Sequence, residues 1–193
     1  TTGAVATNDY AQMTLDFGSQ WRDYHRPGAP DLYPEASRGE MDELMEFIFR
    51  DVNNGVYRCG FAGSQGSYDR AYERLWSALD VLEERLATRR YLMGPSITEA
   101  DVRLYPTLVR FDPVYFGHFK CNRQPLDTMP NLWGYARDLF STPGFGDTNW
   151  TDVITILRQA GWRGAIDIEG WHDPVYKDDL EMTGQVFGLQ YLQ

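Results

Sequence analysis

Positive charge is what this chain has little of: 18 lysines and arginines stand against 28 aspartates and glutamates, a net charge of −10 over 193 residues. A surface of that sign repels a phosphate backbone, and the counterion release that drives nucleic-acid binding has no source. Nucleic acid is therefore not an expected partner. Cysteine is scarce too. Cys59 and Cys121 are the only two, too few for a zinc site with four clustered ligands and too far apart in sequence to suggest a disulfide framework. No apolar run approaches the ~18 residues that span a bilayer, and no basic-then-apolar signal segment opens the chain. The expectation is a soluble, cytoplasmic protein without a membrane partner. The chain starts at Thr1 rather than Met, which suggests a piece of a longer protein. Up to Gly146 no segment alternates apolar and polar residues as a strand does.

What is present is helical periodicity and aromatic mass. Hydrophobic residues make up 42% of the chain and aromatics 15%, enough for a sizeable core. Residues 1–34 read as loop-rich, with RPGAPDLYP at 26–34 as a proline-punctuated approach to a helix. From Glu35, the positions Met41, Leu44, Met45, Ile48 and Val52 recur at threes and fours, predicting one amphipathic helix that stops at NNG, 53–55. A second is predicted over 67–88, carrying Tyr68, Tyr72, Leu75, Leu79, Leu82 and Leu86 on one side. A third starts at SITEAD, where Thr98 caps and Asp101 reaches back to it, with Ile97 and Val102 in the staple positions. Pro106 inside that helix predicts a kink. Further helices are predicted at 131–140 and 151–161. After a junction near 147–150 the character changes: RGAIDIEG at 163–170 reads as a strand and 175–192 as a final helix weakened by Gly184 and Gly188. The order helix, strand, helix belongs to an α/β unit.

Several residues bear chemistry. The window FDPVYFGHFKC, 111–121, gathers Tyr115, His118, Lys120 and Cys121. His118 and Cys121 are three apart, the spacing that pairs side chains on a helix, yet Pro113 and Gly117 interrupt regular helix, so packing is preferred to metal or nucleophile. Tyr57 by residue type alone reads as a half-buried aromatic with its hydroxyl satisfied by backbone. Arg58 and Arg110 either steer an anion or make exposed ion pairs. Glu169, His172 and Asp173 offer metal-capable groups within five residues, and a solvated strand end is the simpler reading. Tyr72, Trp76 and Trp133 are expected in the core.

Taken in order, DLYPEA, DVNNGVYRCGFA, YLMGPSITEADVRLYPTLVRFDPVYFGHFKCN, MPNLWGYARDLF and TPGFGDT resemble the C-terminal helical domain of the xi-class glutathione transferases, the glutathionyl-hydroquinone reductases. The resemblance covers about residues 5–148. It implies a mainly α fold, a glutathione-transferase C-terminal helical bundle over 21–148, preceded at 1–20 by the end of a thioredoxin-like domain and a linker. It implies glutathione as co-substrate, a quinone or hydroquinone acceptor and a homodimer. Tyr57 matches the family tyrosine that faces the quinone pocket. Asp9 and Tyr10 match the acidic-serine pair that holds the γ-glutamyl end of glutathione, with Tyr replacing Ser. The family nucleophile, a cysteine in a Cys-Pro-Trp-Ala motif, has no counterpart here, and a second family tyrosine expected just after Thr148 is replaced by NWTDVITILRQAGW. The segment 149–193 resembles the C-terminal part of sugar phosphate isomerase/epimerase barrels, with Glu169 at the place of a metal-binding glutamate. The two likenesses together imply a truncated or chimeric chain with a short α/β tail. Two further readings stay open: a non-catalytic helical binding or oligomerisation module, and a remnant of a metal-dependent sugar phosphate isomerase.

Overall fold

The computed structural model describes residues 7–146. Two units divide the chain, Thr1–Leu139 and Phe140–Gln193; of the second only 140–146 are among the described residues. The predicted helix at 151–161, the strand at 163–170, the final helix and the cluster Glu169, His172 and Asp173 lie outside them.

Residues 10–19, expected as loop, form helix α1 (Tyr10–Ser19). Asp9 supplies the N-cap, its carboxylate accepting from the Gln12 amide at 3.1 Å. None of its residues is buried, so periodicity carries little signal there. What holds it is a cation: Arg103 of a later helix donates to the Ala11 carbonyl at 2.8 Å and to Thr14 Oγ1 at 2.5 Å, while pairing with Glu99 at 2.9 Å.

NNG does not end the helix begun at Arg38. Helix α2 (Arg38–Phe47) does not stop at 53–55; it widens into a π-helical segment (Ile48–Asn53) and continues as α3 (Asn54–Gly60). Asn53 does not cap. Its side chain donates to the Arg103 carbonyl at 3.0 Å and accepts from Thr107 Oγ1 at 2.9 Å. Gly55 allows a close approach, since a Cβ there would lie 3.2 Å from Leu75 Cδ1. Tertiary packing thus uses the residues that local propensity reads as a stop.

Helix α4 (Gln65–Leu86) follows, capped by Ser64, then α5 (Glu99–Val109) and α6 (Pro130–Phe140). The α3 turns pack on α4, and the π-helical segment packs on both α4 and α5. Met41, Ile48, Val52 and Val56, Leu75, Leu79 and Leu82 of α4, and Leu104 and Leu108 of α5 are all buried. Helix α5 runs on through Pro106 to Val109. Trp76 is buried as expected, but Trp133 is 38% exposed. In α6 the buried side is Leu132, Tyr135, Ala136 and Leu139, and Trp133 falls between its turns.

The capping box expected at Thr98 and Asp101 is present, and Asp101 does more than close it. Wholly buried, its carboxylate accepts from Thr98 N at 2.7 Å, Thr98 Oγ1 at 2.9 Å, Leu92 N at 2.9 Å and Tyr135 Oη at 2.8 Å. One side chain joins the start of α5, the Tyr91–Gly94 turn and α6. In the same manner Glu83 of α4 caps α6, accepting from the amides of Asn131 and Leu132 at 2.8 and 2.7 Å.

Replacing Asp101 by Ala strands four buried donors. The expected loss of stability is about 3 kcal/mol or more, against about 1 kcal/mol for Thr98→Ala, which removes the cap and one of the four donors while the other three stay paired. Urea denaturation of the two variants measures the difference; equal losses would contradict the junction role.

Candidate functional site

The continuation of α2 into α3 decides where the chemistry sits. Arg50, Asn54, Tyr57, Arg58 and Phe61 recur at threes and fours on one side of this composite helix. Ser67, Arg70, Ala71 and Arg74 do the same on α4. Together with Ala62 and Gly63 they line one open cavity of about 790 Å³. Its wall is aromatic and its rim is basic.

The wall is a packed cluster of rings. Tyr57 stacks on Phe61 with centroids 6.3 Å apart and planes at 19°, and meets Tyr115 and Phe119 edge-on at 5.7 and 5.5 Å. Phe119 lies flat against the backbone of Gly60: a Cβ at that position would come within 2.4 Å of the ring. Tyr115 and Phe119 come from the window 111–121, whose shape is now explained. Phe111–Phe116 is a π-helical turn, and the Tyr115 carbonyl then accepts from the amides of both Phe119 and Cys121 at 3.2 and 3.1 Å. Lys120 reverses the chain in the left-handed region at φ 57°, and its carbonyl is fixed by the Tyr68 hydroxyl at 2.6 Å.

Tyr57 and Tyr115 share a hydrogen bond of 3.1 Å between hydroxyls. Burial pushes the Tyr115 phenol up to about 12, the bond with Tyr57 adding to this and the Arg110 guanidinium opposing it. Either hydroxyl of the pair can donate to the other. Arg110, read as either steering an anion or making an exposed ion pair, is exposed and lies near enough to Tyr115 to oppose the rise of its phenol. Tyr115 was in view in the sequence without a role, because nothing local says that residues 58 apart meet.

The cysteines also meet. His118 is exposed and Cys121 buried, so the two do not form a ligand pair. Cys121 instead turns towards α3, its Sγ lying 4.0 Å from the Val56 carbonyl, and its thiol faces that of Cys59. The mutual contact pushes Cys121 up, with burial adding, while the same contact draws Cys59 down against its burial. Far apart in sequence, the two thiols come near in space and both stay free, with no disulfide between them. Both are buried. Among the described residues no group of three His, Cys, Asp or Glu converges as a metal site, and no helix is long and apolar enough to cross a membrane.

Asp9 and Tyr10 lie at the start of α1, Asp9 engaged as its cap and the Tyr10 ring under the Arg103 guanidinium at 5.7 Å. Neither is among the residues that line the Tyr57 cavity.

The described residues have the all-helical fold of a glutathione-transferase C-terminal domain, with an aromatic and basic cavity on the α3–α4 side. Residues 65–138 match the family "Glutathione S-transferase, C-terminal domain". The chain is similar to glutathionyl-hydroquinone reductase YqjG of Escherichia coli (strain K12), 43% identical over 174 residues, 88% of this chain and 53% of that protein. Among solved structures, a glutathione transferase from Gordonia bronchialis is 65% identical, covering 76% of this chain and 46% of its own, at a TM-score of 0.74. The glutathione-bound structure of YqjG is 39% identical, covering 86% of this chain and 56% of its own, at a TM-score of 0.70. The chain spans about half the length of these proteins.

Two outcomes follow from the geometry. In Gly60→Ala the new methyl displaces the Phe119 ring, at an expected cost of about 2 kcal/mol. Phe119→Leu in the same chain recovers part of it, and a double-mutant cycle in urea reads the coupling; additive losses would count against the ring contact. The second concerns alkali. Because the folded state raises Tyr115 from 10.0 to about 12, it holds the phenolic proton more tightly than the unfolded chain does. That contribution is complete below the unfolded value and is lost as pH climbs from 10.0 towards about 12, at up to ~1.4 kcal/mol per pH unit. Tyr115→Phe is expected to flatten that part of the stability profile.

Proposed function

We propose that the chain is the acceptor-binding helical portion of a xi-class enzyme that reduces glutathionyl-hydroquinones with glutathione. The observation that carries the reading is the hydrogen-bonded pair Tyr115 and Tyr57, whose second member lines an open cavity beside Phe61. In that reaction the ring carbon–sulfur bond of the glutathionyl-hydroquinone breaks, the carbon takes a proton, and the two glutathione sulfurs end as a disulfide. A sulfur nucleophile has to make the first attack, and it needs access and a lowered pKa. Cys59 and Cys121 are 3% and 0% exposed, which denies both the access. The proposal therefore places the nucleophile in a preceding thioredoxin-like domain, whose end and linker fall within residues 1–20, and leaves to this chain the binding of the ring. Tyr57 donates to the ring oxygen, and its bond with Tyr115 orients the hydroxyl. Asp9 contributes to holding the γ-glutamyl end of glutathione, with Tyr10 beside it.

A cytoplasmic homodimer remains part of the same proposal, as does a separate origin for 149–193. The reading as a binding module without chemistry and the reading as a sugar isomerase remnant are less favoured, the relatives being glutathionyl-hydroquinone reductases and glutathione transferases.

Titration calorimetry of the chain with a glutathionyl-hydroquinone tests the reading. Binding is expected, with Tyr57→Phe about tenfold weaker, the loss of one hydrogen bond. Turnover that disappears in a Cys59→Ala/Cys121→Ala variant would place the nucleophile in this chain and defeat the proposal.

A further inference from the structure

The sign of the cavity stands apart from the rest of the molecule. A chain with net charge −10 puts Arg50, Arg58, Arg70 and Arg74 on the lining of one cavity, a lining that includes no aspartate or glutamate. Two of the four are already compensated. The Asp51 carboxylate, 5% exposed and just behind the lining, pairs with Arg50 at 2.7 Å and also with Arg74. Burial would raise that carboxyl, and the two guanidiniums outweigh it and bring it below the ordinary range.

Arg58 and Arg70 are held differently. Arg58 donates to the Arg50 carbonyl at 2.9 Å and Arg70 to Ser67 Oγ at 3.3 Å. Both partners are neutral, so they orient the guanidiniums without cancelling them. Each guanidinium carries five N–H donors in a planar fork suited to carboxylate, sulfonate or phosphate oxygens. Arg58 is one residue from Tyr57 and three from Phe61 on α3, whereas Arg70 comes from α4, so the charge flanks the stacked pair Tyr57 and Phe61 from two helices. A neutral ring would use the stacking surface and leave the cationic rim to water.

We propose that this cavity selects aromatic ligands bearing an anionic substituent: the ring rests on Tyr57 and Phe61 while a carboxylate or sulfonate on the ring is received by Arg58 and Arg70. The inference rests on the reading that Tyr57 faces the acceptor and adds the charge class of that acceptor. Anionic oxygens reach such a site from two sources, the ring itself or the carboxylates of the glutathionyl arm. The choice falls on the ring because the uncompensated arginines flank the aromatic wall.

The test is calorimetry on the whole 193-residue chain with three probes: hydroquinone, hydroquinone monosulfonate and S-methylglutathione. The monosulfonate is expected to bind about tenfold more tightly than hydroquinone at low salt, an advantage that shrinks as ionic strength rises. The double variant Arg58→Gln/Arg70→Gln, which keeps most of each side-chain stem, is expected to abolish the advantage while leaving S-methylglutathione unchanged. Equal binding of the two rings by the unaltered chain overturns the proposal, and this comparison needs no variant to fold. So does a double variant that loses S-methylglutathione instead, since the arginines would then belong to the tripeptide. If Tyr57→Phe weakens both rings but the double variant still discriminates between them, this inference fails and the Tyr57 reading stands. If Tyr57→Phe changes neither ring, the reading beneath it fails as well.

Discussion

A carboxylate without water around it has to find its donors in the protein, and Asp101 finds four of them in three separate parts of the chain. Such a group tolerates few alternative arrangements. An unsatisfied buried charge costs more than most packing defects, so the start of α5, the Tyr91–Gly94 turn and Tyr135 of α6 are brought into one geometry. From α5 the constraint spreads outward. Arg103, two residues on, holds α1 through Ala11 and Thr14, and its carbonyl receives Asn53 of the π-helical segment. The cavity thus inherits its position from a polar junction buried in the core.

Around that junction the protein uses close approach rather than bulk. Gly55 lets Leu75 of α4 near, and Gly60 lets the Phe119 ring lie on backbone. The rings of Tyr57, Phe61, Tyr115 and Phe119 then pack on one another, and Tyr57 and Phe61 line the cavity. On the other side of the same cavity the guanidiniums of two helices face solvent. Apolar support and exposed charge are contributed by neighbouring residues of α3, Tyr57 and Arg58, because adjacent helical positions diverge by about 100°.

What could be read from the sequence follows from how local the cause is. The capping box at Thr98 and Asp101, the apolar side of α4 and the extent of α6 are set by neighbours within a turn or two, and they were legible. Helix α1 was not, since it buries nothing and is held by an arginine some ninety residues away. The run past 53–55 was not, because its reasons are Thr107 and Leu75 on other helices. That second misreading hid the site: with a stop at 53–55, Arg50 and Tyr57 belong to different elements, and the spacing that joins them disappears. Tyr57 itself was visible only through family resemblance, and its bond to Tyr115 only in three dimensions.

The π-helical segment at Ile48–Asn53 has an arithmetical consequence. A wide turn accommodates one residue more than an α-turn, so every position downstream is rotated about the helix axis by on the order of 100° relative to an uninterrupted α-helix. Tyr57 reaches the cavity with that offset included. Removing a single residue from this stretch would leave composition and hydrophobicity almost untouched, yet it would turn the phenol out of alignment with Tyr115 and bring a different side chain into its place. The site is in this sense written in phase, and an insertion or deletion of one residue there is a larger event than most substitutions.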